Sequence, residues 1–120
     1  GGVTVGKHLI LDLYQCDTEL LNDYNFLYKV MYEAIELTNA RILNHVGHEF
    51  KPQGATLLFL LSESHASIHT WPEKGYAAID IYTCSNRCLV QNIINYLLVK
   101  LKSTSYQVKE LDRSTVKEEK

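Results

Sequence analysis

Residues 56–83 read TLLFLLSESHASIHTWPEKGYAAIDIYT, and they contain the clearest sequence signals of the fold. Residues 56–62 are apolar on both faces of an extended chain, which is typical of a central strand. Residues 76–83 predict a further strand, and residues 65–70 are expected to be extended. A proline and a glycine within residues 72–75 predict a turn. The stretch therefore predicts neighbouring strands of one sheet joined by short connections.

The flanking sequence adds strands and two helices. Alternating leucines predict a strand over residues 8–14. After Asp17, a favourable N-cap residue, apolar side chains recur every three or four positions and predict a helix that ends near Asn39. The same spacing predicts a second helix over residues 87–102. The remaining predicted strands are residues 41–48 and a short segment at 106–108.

The predicted order of elements is β-α-β-β-β-α-β in a single domain, residues 1–120. This order indicates an α+β two-layer sandwich, with a mostly antiparallel sheet and both helices on one face. Because residues 56–61 are apolar on both sides, the other face of the sheet also needs cover, which a second protomer could supply. The charged tail after Asp112 is expected to fray.

Charge and cysteine content narrow the class of protein. The net charge is −2, which gives no indication of a nucleic-acid partner or a membrane surface. No apolar run approaches the roughly 20 residues that a membrane span requires. The chain has three cysteines, Cys16, Cys84 and Cys88. Because this number is odd, a disulfide framework is not expected, and a reducing, cytoplasmic location is expected instead.

Reactive side chains concentrate in residues 62–73, which contain three serines, two histidines, two glutamates and a tryptophan. Ser64 with a histidine could form a hydrolase pair, although no Gly-x-Ser-x-Gly elbow surrounds it. His65 and His69 could bind zinc together with Cys84 or Cys88. In an extended chain, however, side chains four residues apart lie about 13 Å from each other. Each histidine could also be a hydrogen-bonded residue at a strand end.

The pattern ESHxxIHTWPExGYAAID over residues 63–80, followed by Thr83-Cys84, closely resembles the short prokaryotic-type S-adenosylmethionine decarboxylases. The segments GKHL at residues 6–9 and HxFxPxG at residues 48–54 also resemble this family. The resemblance extends over the chain to about residue 110 and is strongest from Phe50 to Cys84.

The resemblance implies a proenzyme that cuts itself between Glu63 and Ser64, into a β chain of residues 1–63 and an α chain of residues 64–120. Ser64 would become a pyruvoyl group that forms a Schiff base with the substrate amine, without a metal or pyridoxal phosphate. His69 corresponds to the processing base of the family. Thr56 stands where the family usually has a serine that assists processing.

The same resemblance implies the substrate, S-adenosylmethionine, whose decarboxylated product supplies aminopropyl groups for spermidine synthesis. Cys84 corresponds to the proton donor, and Glu73 to a residue that binds the ribose hydroxyls. Phe50 corresponds to an aromatic residue that stacks on adenine, although a plain core residue is the alternative. The family also implies a homodimer with its site between two protomers.

Departures from the family keep two alternatives open. Ser85 replaces the glycine that usually follows the catalytic cysteine, and residues 85–88 replace an acidic, proline-containing segment. One alternative is a pyruvoyl-dependent decarboxylase of ornithine or arginine. The other is an uncut, non-enzymatic homologue that regulates another decarboxylase.

Overall fold

A computed structural model describes residues 2–83 and 90–117. The strands of this part of the chain are β1 (Gly2–Tyr14), β2 (Ile42–Glu49), β3 (Ala55–Leu61), β4 (Ser64–Trp71), β5 (Tyr76–Thr83) and β6 (Ser105–Lys117). Its α-helices are α1 (Thr18–Leu21), α2 (Tyr24–Glu36) and α3 (Val90–Leu101), and a 3-10 turn covers Pro72–Lys74. None of these helices has the length and apolar character needed to cross a membrane.

All six strands form one sheet in the order β2-β3-β4-β5-β1-β6, and every neighbouring pair is antiparallel. β2 to β5 follow each other as hairpin neighbours, because their short connections favour antiparallel pairing. β1 lies between β5 and β6, so the first and last strands of the chain pair with each other. The predicted α+β fold with an antiparallel sheet is confirmed.

The hydrophobic core lies between the helices and one face of the sheet. Alternate residues of each central strand are buried there, as the burial of Leu57, Phe59 and Leu61 in β3 shows. These side chains form one cluster with buried residues of the helices, including Met31 and Leu97. Removing these apolar surfaces from water is the main stabilising contribution to the fold.

The opposite face of the sheet, called the outer face here, is not covered by a helix of the described chain. It carries the other set of alternating side chains, including Thr56, Leu58 and Leu60 of β3 and His65, Ser67 and His69 of β4. Leu58 and Leu60 are 45% and 55% exposed, and the neighbouring Val46 of β2 is 62% exposed. This exposed apolar surface agrees with the expectation that the second face needs cover.

The structure divides the first predicted helix into α1 and α2. The apolar spacing continues across the break, but Asp23 starts a new helix because its carboxylate accepts a hydrogen bond from the Phe26 backbone N–H at 3.1 Å. Asp17 caps α1 as predicted, through the Leu20 N–H at 3.0 Å. Asn22, between the two helices, accepts a hydrogen bond from the Gly54 N–H at 2.9 Å and so anchors the β2–β3 connection.

Two predictions about strands need correction. Residues 64–71 form a complete strand rather than merely an extended link, which raises the number of strands from five to six. The predicted short strand at 106–108 with a frayed tail is also wrong, because β6 continues through Lys117. Its partner β1 is equally long, and the two strands pair from Tyr14↔Ser105 to Gly2↔Lys117. Backbone hydrogen bonding along this pair stabilises a strand whose side chains from 104 to 113 are exposed.

Candidate active site

Ser64 is the first residue of β4 and follows directly after an exposed turn. β3 and β4 pair as far as Leu61↔Ser64, so only Ser62 and Glu63 connect the two strands. Ser64 has the same parity as the buried residues Ala66 and Ile68 and therefore faces the helix side of the sheet. It lies in a cleft lined by Thr38, Asn39, Ala40, Arg41, Ser62, Glu63, Ser64 and Thr83. The Glu63–Ser64 bond is thus at the edge of a cleft rather than in the core.

His69 lies on the outer face, opposite Thr56 on the neighbouring strand. The Thr56 hydroxyl and His69 Nδ1 are 2.9 Å apart and form a hydrogen bond that fixes the orientation of the ring. When Nδ1 donates to this hydroxyl, Nε2 has the free lone pair that a general base needs. The predicted processing base and its predicted assistant are therefore direct partners in the structure.

A second cleft surrounds this histidine. It is lined by Phe50, Gln53, Thr56, His69, Thr70, Trp71 and Glu73. Glu73 is an exposed residue of the Pro72–Lys74 turn that connects β4 to β5. Phe50 directly follows β2, where its N–H donates to the Gly54 carbonyl at 2.8 Å. Phe50 is 48% exposed, which contradicts the alternative that it is a plain core residue.

The predicted site residues fall into two separate groups within one protomer. Phe50, Thr56, His69 and Glu73 lie around the second cleft, whereas Ser64 lies in the first. Ser64 and His69 are five residues apart on one strand, a span of about 16 Å, and they face opposite sides of the sheet. The structure therefore does not bring the predicted base and the predicted nucleophile together within a single chain.

Cys84, Ser85 and Cys88 lie outside the described residues, so the predicted proton donor is not placed. Thr83, the last described residue before them, lines the same cleft as Ser64. Cys16 lies in the core, where burial raises the pKa of its thiol to about 11. A thiol with such a pKa stays protonated and unreactive near neutral pH, which supports the structural role expected for Cys16.

The geometry also bears on the hydrolase and zinc alternatives. His65 and His69 both point to the outer face, away from Ser64, so neither pairs with the serine in a triad-like arrangement within one protomer. Among residues 2–83 and 90–117, no three side chains of His, Cys, Asp or Glu come close enough to form a metal site. The proposed zinc ligands Cys84 and Cys88 lie outside those ranges.

A stack of aromatic residues lies beside the second cleft, and no role was expected for it from the sequence. Trp71 lines this cleft and stacks on Tyr76, with ring centroids 5.1 Å apart. Tyr76 stacks in turn on Tyr14 at 5.6 Å. The Tyr76 hydroxyl donates to Asp12 at 2.6 Å, and this hydrogen bond raises the pKa of Tyr76 to about 12. The alternation of side chains along β4 could have indicated that Trp71 belongs to this cleft, because it places Trp71 on the same face as His69.

Comparison with known proteins identifies the family. A sequence profile of the S-adenosylmethionine decarboxylase family matches residues 7–114. The chain belongs to this family. It is 45% identical over 111 residues to the S-adenosylmethionine decarboxylase proenzyme of Prochlorococcus marinus strain MIT 9313, covering 92% of this chain and 89% of that protein. It is 47% identical over 110 residues to S-adenosylmethionine decarboxylase proenzyme 2 of Bacillus cereus strain ZK / E33L, covering 92% and 89%.

The fold agrees with this membership of the S-adenosylmethionine decarboxylase family. The chain superimposes on the crystal structure of the adenosylmethionine decarboxylase from Aquifex aeolicus VF5 with a TM-score of 0.87 and 31% sequence identity. The match covers 98% of this chain and 97% of the other. The family predicted from residues 63–84 is therefore confirmed.

Proposed function

We propose that this protein is a self-processing decarboxylase of S-adenosylmethionine. The observation that supports this most directly is the cleft that combines Phe50, Thr56, His69 and Glu73 in a chain of the decarboxylase family. The decarboxylated product of this reaction would supply aminopropyl groups for spermidine synthesis. The side chains around both clefts suit the two parts of this activity, self-cleavage and substrate binding.

Self-cleavage would begin with an attack of the Ser64 Oγ on the carbonyl carbon of Glu63. As the new ester bond forms, the Glu63–Ser64 amide bond breaks and the hydroxyl proton passes to the amide nitrogen. Loss of the Ser64 Cα proton then expels the Glu63 carboxylate and leaves dehydroalanine. Addition of water to its imine tautomer releases ammonia and leaves a pyruvoyl group at the start of residues 64–120. Residues 1–63 are the other product.

Position 64 fits this prosthetic group. Ser64 is half-buried in a cleft, next to an exposed turn, so that water can reach the bond while the strand holds the residue in place. A pyruvoyl group supplies an electron-withdrawing carbonyl that binds an amine and accepts the electron pair left by carbon dioxide. His69, oriented by Thr56, would act as the base during processing, and Cys84 would donate the proton that replaces the lost carboxylate.

A homodimer would reunite the two groups of site residues. Ser64 and His69 lie too far apart in one protomer for proton transfer, which needs a separation close to hydrogen-bonding distance. A second copy packed on the outer face would bring its own Thr56–His69 pair to the end of the sheet, where the exposed turn at Ser62 and Glu63 leaves the Glu63–Ser64 bond open to a base from that side. The exposed Val46, Leu58 and Leu60 on that face give such a dimer an apolar contact surface. Each site would then use residues of both protomers.

The second cleft supports a nucleoside substrate over ornithine or arginine. Phe50 offers an exposed ring on which adenine can stack, and the Glu73 carboxylate can accept hydrogen bonds from two neighbouring ribose hydroxyls. Ornithine and arginine have neither an aromatic base nor vicinal hydroxyls. Their cationic ends could pair with Glu73, but only a nucleoside has both an aromatic base for Phe50 and a diol for Glu73. A thiol proton donor at Cys84 also requires a reducing compartment, which supports the proposed cytoplasmic location.

Release of carbon dioxide from carboxyl-labelled substrates tests the proposed activity. Purified, processed protein should release labelled carbon dioxide from S-adenosylmethionine and much less from ornithine or arginine. Phe50→Ala and Glu73→Gln should raise the KM for S-adenosylmethionine more than they lower kcat, because both residues contact parts of the substrate that do not react. A preference for ornithine or arginine would reassign the substrate, and no release from any of the three would support the regulatory alternative.

A further inference from the structure

The connection between β3 and β4 has a residue composition that its geometry does not favour. The pairing Leu61↔Ser64 leaves Ser62 and Glu63 as a two-residue hairpin connection. Tight connections of this length usually contain glycine or asparagine, because they require positive φ angles. Neither residue type occurs here, although this connection carries the Glu63–Ser64 bond.

Glu63 adopts a φ angle of 139°. This region is essentially restricted to glycine, because a Cβ atom clashes with the neighbouring backbone there. The surrounding hydrogen bonds hold the turn in place. The Ser62 N–H donates to the Arg41 carbonyl at 3.0 Å, and the Glu63 N–H donates to the Leu61 carbonyl at 3.0 Å. Because β3 and β4 also pair up to the turn, Glu63 cannot relax while the chain is continuous.

We infer that backbone strain at Glu63 drives the self-cleavage, which makes Glu63 a positioning residue for this reaction. The inference rests on the proposed cleavage between Glu63 and Ser64. Exchange of an amide for an ester is normally unfavourable. In the ester, however, the Glu63 carbonyl carbon is joined to the Ser64 Cα through Oγ and Cβ instead of through the amide nitrogen, which makes the connection one atom longer. The longer connection allows Glu63 to return to a negative φ angle, so relief of the strain shifts the exchange towards the ester.

Replacing Glu63 with residues that differ only at Cβ tests the inference. Glu63→Gly adopts the same φ angle without a clash, so it should slow cleavage by roughly 5- to 100-fold relative to Glu63→Ala. Glu63→Ala is the reference for this comparison, because it keeps the Cβ atom and the strain while lacking the carboxylate, as Glu63→Gly does. The ratio of cleavage rates between Ser62→Gly and Ser62→Ala is the control for added flexibility in the same turn, and it should be close to one. Timed cell-free synthesis, quenched in denaturant and separated on a gel, measures these rates.

A second measurement does not depend on cleavage. In chains made uncleavable by Ser64→Ala, Glu63→Gly should melt at a higher temperature than Glu63→Ala, although glycine normally lowers stability relative to alanine. A lower or equal melting temperature for the glycine variant would overturn the inference. Equal cleavage rates for Glu63→Gly and Glu63→Ala would overturn it as well. A natural chain that never cleaves would instead contradict the proposed function itself, while the melting temperatures would still report whether Glu63 is strained.

Discussion

The hydrogen bond between Thr56 and His69 fixes the orientation of the proposed base. Threonine branches at Cβ and has few χ1 rotamers, so its hydroxyl is held firmly against His69 Nδ1 at 2.9 Å. The ring is thereby oriented before any substrate binds. The resemblance to the family implies a serine at this position, and the threonine retains the hydroxyl that the hydrogen bond requires. The two steps of the proposed reaction can also be separated by substitution, because different side chains would serve cleavage and turnover.

Substitutions of His69 and Cys84 should therefore have opposite effects. Cys84→Ala should still allow cleavage, since the cut needs only a hydroxyl at position 64 and a base. It should lose decarboxylation by about 10²- to 10⁴-fold, the usual contribution of a general acid. His69→Ala should fail mainly at the cut. Gel analysis of fragments and carbon dioxide release should be measured on the same samples, and normal turnover by Cys84→Ala would return this residue to a structural role.

The sequence predicted candidate residues of the site but not their division between two clefts. The resemblance of residues 63–80 to the decarboxylase family implied roles for Ser64, His69 and Glu73. Which face each side chain occupies depends on strand register, and in an extended strand a single residue reverses the face. Only the pairing of β3 with β4 places Ser64 on the helix side and His69 on the outer side. The positive φ angle of Glu63 could not be predicted from the sequence for the same reason. It depends on the strand register, which leaves only two residues between β3 and β4.

At the scale of secondary structure, the elements with strong apolar periodicity were predicted well. β1 alternates clearly over its predicted residues 8–14, and β5 alternates as well, because one face of each is buried. β3 was predicted from its continuous apolar run, and the part of β1 from Gly2 to residue 7 was not predicted. β6 was missed over most of its length because an edge strand with exposed side chains has little hydrophobic pattern, and its pairing with β1 is not visible in its own sequence. The break between α1 and α2 was missed because Leu20 and Tyr24 continue the apolar spacing across it. The capping carboxylate of Asp23 was the available signal.

The cap at Asp23 gives a prediction about stability. Asp23→Ala should lower the free energy of unfolding by about 1 kcal/mol, because it leaves the Phe26 N–H at the start of α2 without its side-chain acceptor. Asp23→Asn is the matched control and should have a much smaller effect, since asparagine is an equally good N-cap residue. Urea unfolding in chains made uncleavable by Ser64→Ala provides the measurement. An equal loss in both variants would show that the charge, rather than the cap, stabilises the helix.

The whole molecule is an antiparallel sheet with helices on one face and a partly apolar outer face. Across the described chain, the core cluster is closed by the helices, whereas Leu58 and Leu60 remain exposed. Burial of this surface against a second copy would account both for the exposed leucines and for the separation of Ser64 from His69. Dimer formation and catalysis would then depend on the same face of the sheet.

Mixed dimers test this dependence. A Ser64→Ala chain retains His69 but cannot be cut, and a His69→Ala chain retains Ser64 but lacks the base. When equal amounts of the two chains are folded together, up to about half of the His69→Ala chains should be cut, because random pairing gives that fraction a partner with an intact histidine. Each variant folded alone should stay uncut. Absence of cutting in the mixture, with mixed dimers shown to be present, would mean that the base acts within its own chain.

Self-cleavage with formation of a pyruvoyl group is the step on which the whole proposed activity depends. The intact mass of the purified natural sequence, measured under denaturing conditions, shows whether this step occurs. The expected spectrum shows two fragments, residues 1–63 and residues 64–120, with the second fragment blocked by pyruvoyl at its amino terminus. The Ser64→Ala variant should give one uncut chain in the same experiment. A single species of 13.8 kDa from the natural sequence would contradict the proposed self-cleavage.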